Sequence, residues 1–193
     1  LVLNSRPREN VLLWDPFCGS GTIAIEAAMI MKKQAPGLFR RFAAEEFPVA
    51  PPEMWAEARD EARSMIRQTS FEAYASDIDE SMVQLAGENA ERAGVADMVR
   101  NFVADARTIR TGGRRGTIVC NPPYGERLGS MAEVEQLYTQ IGRHFQSLAP
   151  WQVYVLTSSE KFERLYGKRA DKVRKLYNGM IPCNLYQYFK FDK

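Results

Sequence analysis

Histidine occurs once in the 193 residues, at position 144, and cysteine three times, at 18, 120 and 183. The cysteines lie far apart with no histidine near them, which argues against a zinc site and a disulfide framework alike. They are expected as reduced side chains packed like small apolar residues, with no metal involved. His144 has no nucleophile or acid beside it and reads as structural. No uninterrupted apolar run of about 18 residues exists, so no membrane-spanning helix is expected. The opening Leu1-Val2-Leu3-Asn4-Ser5-Arg6-Pro7 is too short and too soon basic for a secretory leader. An excess of one charge is also lacking, since the formal net charge is only +2. A cytoplasmic globular chain is expected.

At 45% hydrophobic and 26% charged residues, 193 residues suffice for one domain with a sizeable core. Short apolar runs alternate with helical periodicity. Strands are predicted at 11–15, 73–77, 99–105, 117–120 and 151–157. Helices are predicted at 22–33, 53–67, 81–93, 132–148 and 161–166. The tail holds two strand-like runs, 173–177 and 185–191, separated by Asn178-Gly179 and Pro182. This order implies a doubly wound, mostly parallel seven-stranded α/β sheet with a C-terminal antiparallel hairpin. An insertion over about 34–70 separates the first two strands; its aromatic residues Phe39, Phe42 and Phe47 are expected to cover a helix edge.

In such sheets ligands sit at the carboxyl ends of strands, near the switch in strand order. Asp15, Asp77, Asp105 and Asn121 each fall at the end of a different predicted strand. Asp15-Pro16-Phe17-Cys18-Gly19-Ser20-Gly21-Thr22 is a strand-to-helix turn whose glycines allow a tight bend and close ligand approach. Gly19, Gly21 and Ala24 fit a dinucleotide fingerprint, but hydride-transfer enzymes expect an acid about 20 residues on. Here the next strand-ending acid is Asp77, which argues against a nicotinamide oxidoreductase. Asp77 is placed to accept from ribose hydroxyls, Ile78 to pack on an adenine ring and Asp105 to accept from the adenine amine. Asp79 either assists or caps the following helix.

Asn121-Pro122-Pro123-Tyr124 follows the apolar run Thr117-Ile118-Val119-Cys120. An Asn oxygen and the Pro122 carbonyl are acceptors that can converge on an exocyclic amino group. The prolines fix φ and donate nothing, and Tyr124 offers a stacking surface. Such a notch suits methyl transfer to the amine of a nucleobase. Cys120 beside it is expected to pack.

The glycine-rich turn, Ser76-Asp77-Ile78-Asp79, Ala104-Asp105-Ala106 and Asn121-Pro122-Pro123-Tyr124 stand in the order found in class I S-adenosylmethionine-dependent amino-methyltransferases. Asp15 to Thr22 with Ile25-Glu26-Ala27-Ala28, and Cys120 through Gly129, resemble the THUMP-associated RNA methylases. Within these the chain is most similar to the RlmL-type 23S rRNA guanine-N2 methyltransferases. The resemblance implies S-adenosylmethionine as cofactor and RNA as partner. Its cofactor set is Asp15, Pro16, Cys18, Gly19, Ser20, Gly21, Thr22, Asp77, Ile78, Asp79, Asp105, Ala106 and Asn121. Its catalytic set is Asn121, Pro122 and Tyr124. Guanine is preferred over adenine N6, in DNA or RNA, only through Gly125-Glu126-Arg127. A THUMP domain is expected upstream of this chain, with the helix before the first strand reduced to a stub at Leu1 to Asn4.

Two basic clusters offer phosphate contacts: Arg107, Arg110, Arg114 and Arg115, and the stretch holding Lys161, Arg164, Lys168, Arg169, Lys172, Arg174 and Lys175. Solvated surface charge explains either equally well. A non-catalytic RNA-binding module is the remaining alternative.

Overall fold

Short, mostly apolar runs form the centre of the sheet. In the computed structural model, which describes residues 1–124 and 130–191, the chain runs α1 (Val2–Ser5), β1 (Leu12–Asp15), α2 (Thr22–Lys32), a 3-10 turn (Ala43–Glu46), α3 (Pro52–Ser64), β2 (Ala73–Asp77), α4 (Glu80–Arg92) and β3 (Val99–Val103). It continues through β4 (Gly116–Cys120), α5 (Met131–Ser147), β5 (Gln152–Thr157), α6 (Phe162–Tyr166), β6 (Lys172–Asn178) and β7 (Ile181–Tyr188). The strand order is β3-β2-β1-β4-β5-β7-β6, with β7 antiparallel to both neighbours and the rest parallel. This is the expected doubly wound sheet with its closing hairpin. Gly125, Glu126 and Arg127, on which the guanine preference rests, lie outside the described residues.

Every residue of β1 and β4 is buried because both sheet faces are covered. Leu13 and Val119 point into one core with Ala24, Ala28 and Ala86 of α2 and α4. Leu12, Trp14, Ile118 and Cys120 point into the other, with Val134, Tyr138, Ile141 and Phe145 of α5. Those four α5 positions recur at helical spacing, so the buried stripe is centred one residue beyond Leu137, which is only partly buried. Ser130 and Glu133 start α5 with a reciprocal capping box.

Two departures from the predicted boundaries have local causes. Helix α3 stops at Ser64 rather than near Arg67, because the Arg67 N–H is drawn to the Lys32 carbonyl at 2.9 Å and its Nε to Met31 at 3.0 Å. Pro182, expected between the last strands, lies in β7 opposite Tyr177. It falls at the strand's start, beyond the β5 pairing, where a missing N–H is tolerated. Within the insertion, Phe42 stacks on Trp55 with ring centroids 6.1 Å apart, and α3 buries none of its residues. The expected cover of a helix edge is therefore not what the aromatic residues chiefly provide: Phe42 packs on Trp55 within the insertion, while Phe39 and Phe47 are exposed.

Candidate active site

The strand order reverses at β1, with β2 on one side and β4 on the other; in sheets of this kind the ligand crevice lies beyond the carboxyl ends at such a switch. Asp15 ends β1, Asp77 ends β2, and Asn121 follows β4 directly. Asp105 lies two residues past the end of β3. The sheet thus aligns the four residues on one edge.

The glycine turn is held from three sides. Its Cys18 N–H donates to the Ser76 carbonyl at 3.0 Å and its Gly19 N–H to Asp77 Oδ2 at 3.0 Å. Asn89 Nδ2 of α4 donates to the Ser20 carbonyl at 3.0 Å. Gly19 has φ +49°, and a Cβ built there meets nothing within 4 Å, so the turn leaves an open cradle over its backbone. Gly21 has a different task. At φ +84° its Cβ would lie 3.0 Å from that of Ala86, so the glycine lets α2 start directly against α4. Ser20 is exposed and Gly21 is buried. Pro16 is buried beside them, and Ser20 and Thr22 share a hydroxyl contact at 3.2 Å.

Asp15 is almost fully buried, and among the described residues its Oδ1 accepts from the Phe17 N–H alone, at 3.1 Å. Burial raises its pKa to about 8, against the pull of that N–H and with help from the nearby charge of Asp77. The native state therefore holds a proton here that the unfolded chain has released above the ordinary carboxylate range. Stability should fall as pH rises from about 4 to about 8 and level off above. Asp15→Asn, which mimics the protonated acid, should flatten this slope in urea melts of the ligand-free protein. An unchanged slope would assign the pH dependence elsewhere.

Asp77 anchors the turn through Oδ2 and takes the Asp79 N–H on Oδ1 at 3.1 Å, yet each oxygen keeps a lone pair for a ligand. Ile78 is 64% exposed beside it, an apolar surface open to a flat ring. Asp79 caps α4, its Oδ1 accepting from the Ser81 N–H at 2.9 Å and hydroxyl at 2.7 Å. Capping, the second of its two expected roles, is what the geometry gives.

Asp105 departs from expectation. Arg107 donates from its backbone N–H and Nε to Oδ1 and from Nε and Nη2 to Oδ2. These bonds hold the carboxyl below its usual pKa and use up the acceptor expected for an adenine amine. Ala106 is buried in the α5 core, which removes its side chain from the crevice. The arginine cluster before the notch is also partly spent, since Arg107 pairs with Asp105 and Arg114 with Glu72 and the Tyr74 hydroxyl.

In the notch, Asn121 Oδ1 is shielded from solvent and accepts no hydrogen bond. An orphaned buried acceptor costs about 1–3 kcal/mol, so such atoms concentrate where a ligand will supply the donor. Pro122 is buried. Tyr124 is 5% exposed, packed into the core, and its hydroxyl accepts from Asn178 Nδ2 at 2.6 Å. Its ring is thus not open for stacking as expected.

Sequence reasoning missed what fixes the notch. Tyr138, fully buried on α5, donates its hydroxyl to the Pro123 carbonyl at 3.0 Å. Thr157 at the end of β5 then donates to Tyr138 Oη at 2.8 Å while accepting from the Ser159 N–H at 3.1 Å. This chain ties the prolines to a helix and a neighbouring strand. Burial pushes the Tyr138 phenol up to about 12, so it remains a donor throughout the neutral range. In sequence, Tyr138 is only an apolar stripe residue.

All three cysteines are buried and free, and burial holds the Cys18 and Cys120 thiols above their ordinary pKa. His144 Nε2 lies 2.8 Å from the Ile109 carbonyl, a structural contact.

Comparison with known proteins places the chain in a family. The family model described as UPF0020, "RMKL-like, methyltransferase domain", matches residues 1–187. The ribosomal RNA large subunit methyltransferase K/L of Legionella pneumophila (strain Lens) is 41% identical over 176 residues, covering 90% of this chain and 25% of its own. The solved structure of SMU.472 complexed with SAH superposes with a TM-score of 0.90 at 37% identity, covering 100% of this chain and 51% of that one. A Listeria monocytogenes structure described as a "predicted N6-adenine-specific DNA methylase" gives 0.86 at 40% identity, covering 97% and 48%. The chain spans between a quarter and about half the length of the curated relatives it matches. With its seven-stranded sheet, glycine turn after β1 and Asn-Pro-Pro-Tyr segment after β4, this chain belongs to the RMKL-like methyltransferase domain family.

Proposed function

We propose that the domain transfers a methyl group from S-adenosylmethionine to the exocyclic amine of an RNA base, with guanine N2 of 23S rRNA as the favoured target. The observation that carries this reading is the unpartnered, shielded Oδ1 of Asn121 beside two prolines, across the β1/β4 switch from the glycine turn. The residues present fit the cofactor. The open backbone at Gly19 would take its methionine portion, Asp77 its ribose hydroxyls and Ile78 one face of its adenine. When bound, the cofactor supplies an electrophilic methyl group, and the protein's task is position and charge.

An exocyclic amine is a weak nucleophile because its lone pair is delocalised into the ring. Asn121 Oδ1 and the Pro122 carbonyl would accept its two N–H groups, favour a pyramidal nitrogen and stabilise positive charge there. The notch residues include no general base, so the spare proton leaves to water. A paired base must unstack before it can enter. The K/L relative's name supports an rRNA substrate, and the Listeria structure's description keeps adenine N6 as the second reading.

Mass spectrometry of nucleosides from rRNA and DNA of cells lacking the full-length gene tests the target. Loss of N2-methylguanosine from 23S rRNA is expected; loss of N6-methyladenine instead would replace guanine by adenine. Tyr138→Phe should slow transfer several-fold and cost about 1–3 kcal/mol of stability, because the Pro123 carbonyl loses its donor. Cofactor affinity should not change. Weakened cofactor binding in calorimetry would remove Tyr138 from a role confined to the notch.

A further inference from the structure

The opposite end of the sheet carries a basic groove that the methyl-transfer reading leaves unused. Two adjoining cavities, of about 270 and 360 Å³, meet there and share Ser5, Arg6, Arg8, Gln152 and Phe189. Arg115 lines the first; Lys172 and Arg174 line the second. Among the described residues no carboxylate lines either cavity. Arg174 is held by Asn4 Oδ1 at 2.8 Å, while Arg6, Arg8, Arg115 and Lys172 are exposed and make no ion pair among the described residues. Asp171, next along the chain, spends its Oδ2 on the N–H groups of Phe189 and Lys190 at 2.6 and 2.8 Å.

Two further observations point to a ligand. Gln187, only 5% exposed, lines the second cavity with an amide Nε2 that finds no acceptor. A buried donor without an acceptor, among cations without anions, is a set of groups that one anionic partner would satisfy together. Phe189 borders both cavities and Phe191, which is partly exposed, borders the first. Cations with interleaved aromatic rings suit a single strand, whose phosphates meet the charges and whose bases stack.

We propose that this groove binds single-stranded RNA flanking the methylated base, its phosphates on Arg6, Arg8, Arg115, Lys172 and Arg174 and a base against Phe189. The inference rests on the RNA reading above and adds a second contact to it. The groove lies at the starts of β1, β4 and β5, whereas the notch lies at the strands' far ends. At about 3.3 Å per residue, strands of this length separate the two by on the order of 15–20 Å. An RNA touching both sites must therefore extend at least about five nucleotides beyond the target, at about 3.4 Å per stacked nucleotide.

The test uses the full-length protein with Arg6, Arg8 and Lys172 replaced by alanine, surface changes that break no ion pair. Binding of a methylatable single-stranded RNA of about 15 nucleotides is measured against salt, alongside an RNA cut close to the target. For the long RNA, affinity should fall at least about tenfold, and the salt slope should shrink by about two, at roughly 0.7 per lost phosphate contact. The short RNA and the cofactor should bind as before. A long-RNA affinity and salt slope equal to the wild type would overturn the proposal, even if the groove takes inorganic phosphate. An equal loss for long and short RNA would overturn it too, since the cations would then act as a general field. Failure of the methyltransferase reading looks different: the unaltered protein would label no RNA at all.

Discussion

Asn121→Ala should reduce methyl transfer by about 10²–10³-fold while leaving cofactor affinity within error. The reason lies in the atom removed. Oδ1 is shielded and unpartnered in the ligand-free fold, so its hydrogen-bonding capacity is realised only when an amine arrives. The same variant should be as stable as the parent or more so, because the orphaned acceptor is a cost of about 1–3 kcal/mol that alanine lacks. Stopped-flow transfer assays and thermal melts on one preparation check both halves. A variant that loses stability but turns over normally would make Asn121 a packing residue and remove the basis for base recognition.

Asp77→Ala should act on the other half of the crevice. Its carboxylate joins the glycine turn to β2 through Gly19 and retains lone pairs for ribose hydroxyls. Losing a charged acceptor removes about 1.5–3 kcal/mol per hydrogen bond, so cofactor affinity should fall at least about tenfold. Asp77→Asn separates the two roles. It keeps an oxygen for the Gly19 N–H and should hold the turn in place, yet still bind cofactor more weakly. Titration calorimetry decides, and unchanged affinity in both variants would take Asp77 out of the pocket. Because the charge of Asp77 adds to the raised pKa of Asp15, both substitutions should also move the Asp15 pH dependence to lower pH.

Much of this was legible in the chain. The run Thr117 to Cys120 ahead of Asn121, and Ala73 to Ser76 ahead of Asp77, mark buried strands whose first polar residue must surface at an edge. Three or more such strands in parallel order can bring those ends together only on one side of a sheet. Asp105 was misjudged because its partner is local. Arg107, two residues on, turns back on it, and no spacing rule announces that a side chain will fold onto its neighbour. Tyr124 was read as open surface because aromatic rings beside a polar amide often are, yet Asn178 on the distant hairpin draws it into the core.

What the sequence determined by itself is whatever follows from periodicity and from residues with few conformational choices. The strand–helix alternation, the glycine bend, the rigid prolines and the polar strand ends all belong to that class. Tertiary structure alone decided which polar atoms are already satisfied: Asp105 and Asp79 are occupied, while Asn121 and Gln187 are left waiting. It also set Tyr138 beneath the notch and gathered Arg6, Arg115 and Lys172 into one groove. The physical reason is that hydrogen bonds and charges act over a few ångströms in space, and only the folded chain fixes which distant residues come that close.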